Sequence, residues 1–364
     1  MKKSLIALAV LAASGAAMAQ SSVTLYGIVD AYVGQTSTTA AGTFAAGSTA
    51  ETPNGPKVKQ TVVNTAGFNN SRWGMKGSEE LGGGLRANFV LENGFNTDTG
   101  ALADAGGRLF NRQATVGLSG AFGAVNLGRQ LTAYDALRGA TNNQYDSNFA
   151  PTSTVWNNGV RDYSTRTDNS IGYVSPTISG FSGGVVLGLG ENKVGASGTT
   201  PALDTTKNYS AHIKYANGPI LVGYAYQVEN TRTAAGTSTA SNTADRKYNL
   251  FAGSYDLGVA KLTGGYNQAK QGAVEDKEFQ VGVNVPFGAA AVSVGYARSK
   301  SDITGFNGNK GTGYSLLGTY DMSKRTRLYA GLVSTKVEAI SANGAATPDA
   351  YKATTAGVGV RHAF

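Results

Sequence analysis

From Val23 onward, apolar and polar residues alternate with a period of two, in segments of roughly ten residues. In Val23-Thr24-Leu25-Tyr26-Gly27-Ile28-Val29-Asp30-Ala31-Tyr32-Val33 every odd position is apolar or small. The device recurs in Leu85/Ala87/Phe89/Leu91 against Arg86/Asn88/Glu92, and in Tyr209/Ala211/Ile213/Tyr215 against Asn208/Ser210/His212/Lys214. It returns in Phe279/Val281/Val283/Val285, Ala290/Val292/Val294/Tyr296 and Leu328/Ala330/Leu332. A soluble sandwich would also alternate, but it would bury its apolar face in a core of large aliphatic side chains. Here the opposing face is polar and glycine-rich, which suits a wet lumen.

The segments are separated by connections of two lengths. Glu79–Gly83, Gly120–Gly123, Asn217-Gly218, Asp256–Gly258 and Pro286–Gly288 are short, whereas Gln35–Ala66, Leu131–Thr165, Glu191–Lys207 and Thr231–Asp245 are long. Alternation of the two classes predicts antiparallel strands with turns at one rim and loops at the other. About sixteen strands follow, beginning near Ser22, Gly67, Gly84, Asn111, Ala124, Arg166, Gly180, Asn208, Pro219, Arg246, Val259, Asp276, Ala289, Gly313, Arg325 and Thr354. The fold class is all-β, a transmembrane antiparallel β-barrel. An even strand number puts both chain ends at the short-turn rim.

The segment before Val23 does not share this pattern. Lys2 and Lys3, the apolar run Leu5–Leu11 and the closing Ala17-Met18-Ala19 are the n-region, h-region and small-residue site of a secretory signal, so residues 1–19 are read as cleaved and 20–364 as one barrel domain. That run falls well short of the roughly 20 residues a spanning helix needs, and no longer one follows. A membrane protein made from the remainder must therefore span as a closed sheet.

Composition narrows the picture further. The chain has no cysteine, which excludes disulfides, Cys-ligated metals and thiol catalysis, while 50 Gly, 18 Tyr and only 15% charged residues fit many short strands and turns. Tyr26, Tyr32, Tyr173, Tyr215, Tyr226, Tyr255, Tyr266, Tyr296, Tyr320 and Tyr329 fall near strand ends, where a ring with a polar tip suits the headgroup level. The last segment places Val358, Val360, His362 and Phe364 on one face, and terminal Phe364 reads as an outer-membrane assembly signal.

Several stretches carry a family resemblance. Val23-Thr24-Leu25-Tyr26-Gly27, the run Ser71-Arg72-Trp73-Gly74-Met75-Lys76-Gly77-Ser78-Glu79-Glu80-Leu81-Gly82-Gly83-Gly84, Asn111-Arg112-Gln113-Ala114, Leu127-Gly128-Arg129-Gln130 and Arg361-His362-Ala363-Phe364 span the chain from first strand to last. As a set they resemble the trimeric general porins of Gram-negative bacteria, in their β-proteobacterial branch. That resemblance implies a sixteen-stranded homotrimeric barrel in the outer membrane, with both termini periplasmic and a third long loop folded into the lumen. By order and spacing the loop is 131–165. The implied partners are other copies of the chain, outer-membrane lipid and lipopolysaccharide, periplasmic chaperones, the barrel-assembly machinery, and the small ions and solutes that pass.

In such porins basic wall residues face acids on the loop. Carried over, the wall cluster is Arg72, Arg112 and Arg166, with Lys76 beside it; the loop charges are Asp135, Asp146 and Asp162 with Arg138 and Arg161. Parity supports Arg72 and Lys76, which oppose Trp73 and Met75, and Arg166, which opposes Ile171 and Tyr173. Arg112 shares parity with Ala114, Val116 and Leu118, so a bulge or an infolded or subunit-facing strand is needed to turn it inward. Arg129 falls on the outward face with Val125 and Leu127 and is assigned to a subunit contact or a rim. The enterobacterial Pro-Glu-Phe-Gly loop motif is absent, which leaves the constriction acid open among the three candidates.

The function implied is passive diffusion of small hydrophilic solutes with modest anion preference, because basic groups outnumber carboxylates at the narrow section. The chain is not read as an enzyme. His212 has Ser210 two residues before it on one face, yet neither sits in a hydrolase motif, and His362 stands alone. No metal-binding, nucleotide-binding or EF-hand signature occurs, so no cofactor is expected, and Gly308-Asn309-Lys310-Gly311-Thr312-Gly313 reads as a surface loop. The net charge of +8 comes without basic runs interleaved with aromatics, which argues against nucleic acid. A dedicated sugar channel would carry an aromatic track, whereas the aromatics here fall mostly on outward parity. A surface adhesin would bind through its long loops and conduct little.

Overall fold

The computed structural model describes residues 22–39, 55–104, 106–142, 144, 146–157, 159–190, 206–230, 244–303, 306–338 and 351–364. The signal segment and most of the connections 191–207 and 231–245 lie outside them. The alternating segments form β1 (Ser22–Thr39), β2 (Val58–Thr65), β3 (Arg72–Gly82), β4 (Leu85–Gly94), β5 (Gln113–Gly120), β6 (Gly123–Leu131), β7 (Arg166–Val174), β8 (Phe181–Gly188) and β9 (Asn208–Asn217). They continue as β10 (Ile220–Glu229), β11 (Arg246–Asp256), β12 (Lys261–Gln271), β13 (Val274–Phe287), β14 (Ala290–Ile303), β15 (Phe306–Asp321), β16 (Thr326–Glu338) and β17 (Tyr351–Ala363).

All these segments join one antiparallel sheet that closes on itself through β1. Along one edge β1 pairs with β17, from Ile28↔Ala363 to Thr39↔Lys352. Along the other it pairs with β2 toward the loop rim, from Ala31↔Thr65 to Thr38↔Val58, and with β3 toward the turn rim, from Ser22↔Ser78 to Ile28↔Arg72. β2 and β3 thus share one place in the wall, and the barrel has sixteen strands. Closure removes every sheet edge that would otherwise present unpaired amides to lipid.

The expected sidedness holds. Val23, Leu25, Val29 and Val33 of β1, Phe251 and Tyr255 of β11, Phe279, Val281 and Val283 of β13, and Val358 and Val360 of β17 are exposed on the outer wall. Inward positions between them, such as Asp30, Ser210, Gln227, Asn267 and Ser299, are buried and polar. The tyrosines divide: Tyr173, Tyr255, Tyr266 and Tyr320 face outward, but Tyr32 and Tyr329 are buried inside.

Four local expectations give way. The second strand does not begin at Gly67: residues 58–65 already pair with β1, and an inward excursion at 66–71 interrupts the strand before Arg72. The excursion forms because the buried Asp30 carboxylate gathers the amides of Gly67, Phe68 and Asn69 at 2.9, 3.1 and 2.9 Å, together with the Tyr329 hydroxyl at 2.6 Å. The alternation of long and short connections fails at β12–β13, joined at the loop rim only by Gly272, at φ 57°, and Ala273. The glycine-rich 308–313 lies within β15, and from Lys310 onward it pairs with both β14 and β16, its small residues suiting the ladder as well as a loop. Finally, β6 and β7 carry a bulge: Gly128↔Ser170 is followed by Gln130↔Thr167, and Asn169 takes φ 47°. One extra residue in β7 reverses the parity count for everything before it.

A charge placed on the outer wall tests the sidedness directly. Val281→Arg, at the middle of β13, should destabilise the barrel in lipid vesicles by about 2–4 kcal/mol. The measurement is equilibrium urea unfolding, and Lys277→Arg, near the loop rim of the same strand, should leave the midpoint unchanged.

Candidate functional site

Residues 132–165 leave β6 and line the inside of the barrel. Thr132 caps the first helix, α1 (Ala133–Ala140), its hydroxyl accepting from the Asp135 amide, and α1 lies against β8 to β11. Gln144 then reaches β14 and β15 through Ser293 and Ser315. The tip crosses to the opposite wall, where Ser147 donates to the Gly67 carbonyl at 2.6 Å and the Asn148 amide to Ala66 at 2.9 Å. The return leg passes through the single turn α2 (Thr152–Val155) on β14 to β16. It continues along β13, where Asp276 accepts from the Gly159 and Val160 amides at 2.9 and 2.6 Å, and ends at β10, where Glu229 accepts from Ser164 at 2.5 Å.

This loop, not the wall, holds the apolar core. Tyr134, Leu137, Val155, Trp156, Val160 and Tyr163 pack with Tyr248 and Leu250 of β11, while Phe149 packs with Tyr32 and Tyr329. Much of the glycine on the inner face serves this close approach rather than an open lumen. A Cβ on Gly313 would meet Pro151 at 2.9 Å and Val155 at 3.0 Å, and one on Gly331 would strike the Phe149 ring.

The candidate loop charges separate into two groups. Asp135 is buried and accepts from the Tyr163 hydroxyl at 2.7 Å. Arg138 is also buried, bonded through Nη1 to both Asp162 oxygens at 2.9 Å and held between the Trp156 and Tyr163 rings at 4.6 and 4.8 Å. Burial opposes its charge, but Asp162 and the surrounding groups more than offset this and hold the guanidinium well above its ordinary pKa. These three residues fasten the loop to itself. Asp146 and Arg161 differ: Arg161 is exposed, and Asp146, at φ 72° on the tip, bridges to Arg72 Nη2 at 3.2 Å and bonds Asn70.

On the wall, Arg72 and Lys76 point inward as parity requires, Lys76 lying 5.4 Å from the centre of the Tyr26 ring. Arg112 also points inward, its Nε 2.7 Å from Glu92. No bulge is needed, because β5 begins only at Gln113 and the parity count does not reach Arg112. Arg166 is the exception. The β7 bulge removes the parity argument for it, its register partner Leu131 is exposed, and its Nε donates to the Arg112 carbonyl at 2.8 Å. Arg129 lies with Asp168 at 2.6 Å, and Asp168 is also bonded by Arg108 at 3.2 Å.

Three lumen residues escaped the sequence. Asp30 organises the 66–71 excursion; Arg361 bonds Asn69 at 3.1 Å; and Arg327 pairs with Asp321 at 2.6 and 2.8 Å while covering the Phe68 ring. Arg361 interacts electrostatically with both Arg72 and Arg327. Inward parity beside Tyr329 and Gly359 was the available signal for both arginines. The Ser210 hydroxyl accepts from the Ala133 amide at 2.9 Å, which ties β9 to the start of the loop helix. Among the described residues no cluster of metal-binding side chains occurs.

A sixteen-stranded barrel with an infolded third loop and a basic wall is a channel architecture, and the comparisons agree. The family model described as Gram-negative porin matches residues 5–339. The chain belongs to the Gram-negative porin family. It is 35% identical to outer membrane porin protein 32 of Delftia acidovorans and 31% identical to an outer membrane porin protein of Bordetella pertussis, with each chain covered in full. Among solved structures, an anion-selective porin from Comamonas acidovorans matches 95% of this chain and 100% of its own, at 28% identity and a TM-score of 0.72. OmpT of Vibrio cholerae, in a trimer form, shares the fold at 16% identity and a TM-score of 0.61, over 94% of this chain and 99% of its own. The porin is accordingly an outer-membrane protein.

Removing the guanidinium that fastens this porin's loop should loosen the loop without opening the barrel. Arg138→Ala leaves Asp162 unpaired and two rings uncovered, a loss of about 3–5 kcal/mol from loop docking. In single-channel recordings the variant should show larger open-state current fluctuations, with an unchanged β-sheet spectrum.

Proposed function

We propose that this porin passes small hydrophilic solutes down their gradients through a lumen narrowed by residues 132–165, with preference for anions at an arginine-lined constriction. The observation that carries the reading is the balance of charge around the loop tip. Arg72, Lys76, Arg112, Arg327 and Arg361 line the wall, and the carboxylates bonded to this group are Asp146, Glu92 and Asp321. Asp135 and Asp162 do not oppose the wall, because they are engaged within the loop. An excess of fixed positive charge in a narrow passage raises the local anion concentration and lowers that of cations. The anion-selective Comamonas relative supports the same sign here. Arg166 stands at the edge of this group and contributes to the field from the loop rim.

The general-diffusion reading is favoured over a dedicated sugar channel because the inward aromatics Tyr134, Trp156, Phe149, Tyr248 and Tyr329 are buried under or within the loop. They offer no exposed track for a sugar ring. In a salt gradient across a planar bilayer the reversal potential should report anion preference. Arg72→Ala and Arg361→Ala should each lower the anion-to-cation permeability ratio roughly 2- to 5-fold, with the effect shrinking as salt screens the field. Cation preference in the unmodified protein would overturn the assignment.

The working unit is proposed to be a homotrimer, with Arg129 at or beside the subunit contact. Arg129, Arg108, Asp104 and Asp168 form an ionic cluster on an otherwise apolar outer wall near Val116 and Leu127, where a neighbouring subunit would shield the charges from lipid. Arg129→Ala should shift the population toward monomer on native electrophoresis, while Arg86→Ala, at the turn rim, should not.

A further inference from the structure

At the short-turn rim the lumen wall holds a polar recess away from the loop tip. It has a volume of about 280 Å³ and is lined by Asp256, Lys261, Asn284, Asp321 and Arg327, together with the turn glycines Gly258 and Gly288. All five side chains lie on inward parity, since their strand neighbours Tyr255, Leu262, Val283, Tyr320 and Leu328 are exposed on the outer wall.

Two of the hairpins that bound this recess end in the same register. The last pair of β11 and β12 is Asp256↔Lys261 and that of β15 and β16 is Asp321↔Arg327, an acid directly opposite a base in both. The outcomes differ. Arg327 closes onto Asp321 with two bonds at 2.6 and 2.8 Å, a planar fork meeting both carboxylate oxygens. Asp256 instead gives Oδ1 to the Gly258 amide at 2.8 Å, in a turn where Gly258 takes φ 79°, and Lys261, a point charge on a flexible stem, forms no ion pair with it. Among the described residues Lys261 has no charged or hydrogen-bonded side-chain partner. Opposite Lys261 on β13, Asn284 holds a buried Oδ1 that accepts no hydrogen bond. An open cation, an open carboxylate oxygen and an unmet acceptor thus stand on three adjacent strands within one recess.

We infer that this recess binds small zwitterions, of which a free α-amino acid is the simplest, with the ammonium on Asp256, the carboxylate on Lys261, and Asn284 accepting a further N–H or hydroxyl of the same molecule. A plain anion would meet Asp256 as a like charge and a plain cation would meet Lys261, so only a solute carrying both signs close together satisfies the pair. A zwitterion has no net charge, and the excess positive charge at the narrow section does not concentrate it as it does an anion. A recess with both signs raises its local concentration at the turn-rim mouth. Two water-exposed charges hold it weakly, with a Kd of roughly millimolar, which allows a passing solute to leave. The inference rests on the channel reading only for the solute's route through the lumen.

Saturation-transfer NMR on the detergent-solubilised porin, titrated with glycine and separately with acetate, tests the assignment. D256N/K261Q removes both charges without changing the net charge, and should weaken glycine binding roughly fivefold or more while leaving acetate binding unchanged. K261R keeps the charge but supplies the fork that closes Asp321↔Arg327, so it should shut the pair and weaken glycine binding to the same degree. K324Q, on the turn rim outside the recess, should bind glycine as the unmodified protein does. All three variants should keep the β-sheet spectrum, and the reversal potential in a salt gradient should stay unchanged in D256N/K261Q and K261R. Failure of the pore reading would show as cation preference in the unmodified protein, whereas failure of this inference would show in the glycine titration alone. Equal glycine binding in the unmodified protein and D256N/K261Q, glycine binding retained in K261R, or a loss of acetate binding as large as that of glycine would each overturn the proposal.

Discussion

Every backbone amide that crosses the hydrocarbon must find a partner within the protein, and that demand shapes the rest of the molecule. Water is absent from the bilayer core, and an unpaired amide there costs several kcal/mol. β1 meets it by serving as the seam, paired to β17 on one side and to β2 and β3 on the other. Once the sheet is closed, side chains decide only which face meets lipid and which meets water. This is why strict alternation suffices where a soluble fold would need a packed core.

The apolar core that the wall lacks is built by the inserted loop. Its aromatic residues lie on glycine and small polar positions of the inner wall, its buried Asp135 accepts from the Tyr163 hydroxyl, and its buried Arg138 pairs with the half-buried Asp162. Asp30 completes the arrangement from the other side. By collecting three amides and a tyrosine hydroxyl it turns residues 66–71 inward, which creates the surface that the loop tip meets through Ser147, Asn148 and Asp146. The bore is therefore set by a contact between two inward excursions, one from the second barrel strand and one from the third loop. The same contact bridges Arg72 of the wall to Asp146 of the loop tip at 3.2 Å, and under the proposed function it would hold the wall arginines as a steady field.

The strands and their sidedness were legible because alternation is a local signal repeated many times along the chain. Arg72 and Lys76 were legible for the same reason. The parity argument for Arg166 did not survive, because one bulged residue, Asn169 at φ 47°, reverses parity without any mark in the hydrophobic pattern. Arg112 failed the parity test because the test extended a strand one residue too far. The loop acids could not be ranked, since Asp135, Asp146 and Asp162 differ only in which partner the folded loop brings to them. Inward tyrosines and glycines were read as girdle and wet wall, whereas Tyr32 and Tyr329 pack against Phe149, and Gly331 makes room for its ring. Long-range contacts of this kind leave no periodicity.

The central claim, that one face of each strand is wet and the other is shielded, is tested most directly by single-cysteine labelling along β3, because the chain has no cysteine of its own. Cysteine placed in turn at Arg72, Trp73, Met75 and Lys76 would be exposed to a charged, membrane-impermeant thiol reagent in lipid vesicles. The account predicts rapid labelling with reduced ion flux at positions 72 and 76, and protection at 73 and 75. Uniform labelling of all four, or protection at 72 and 76, would contradict it.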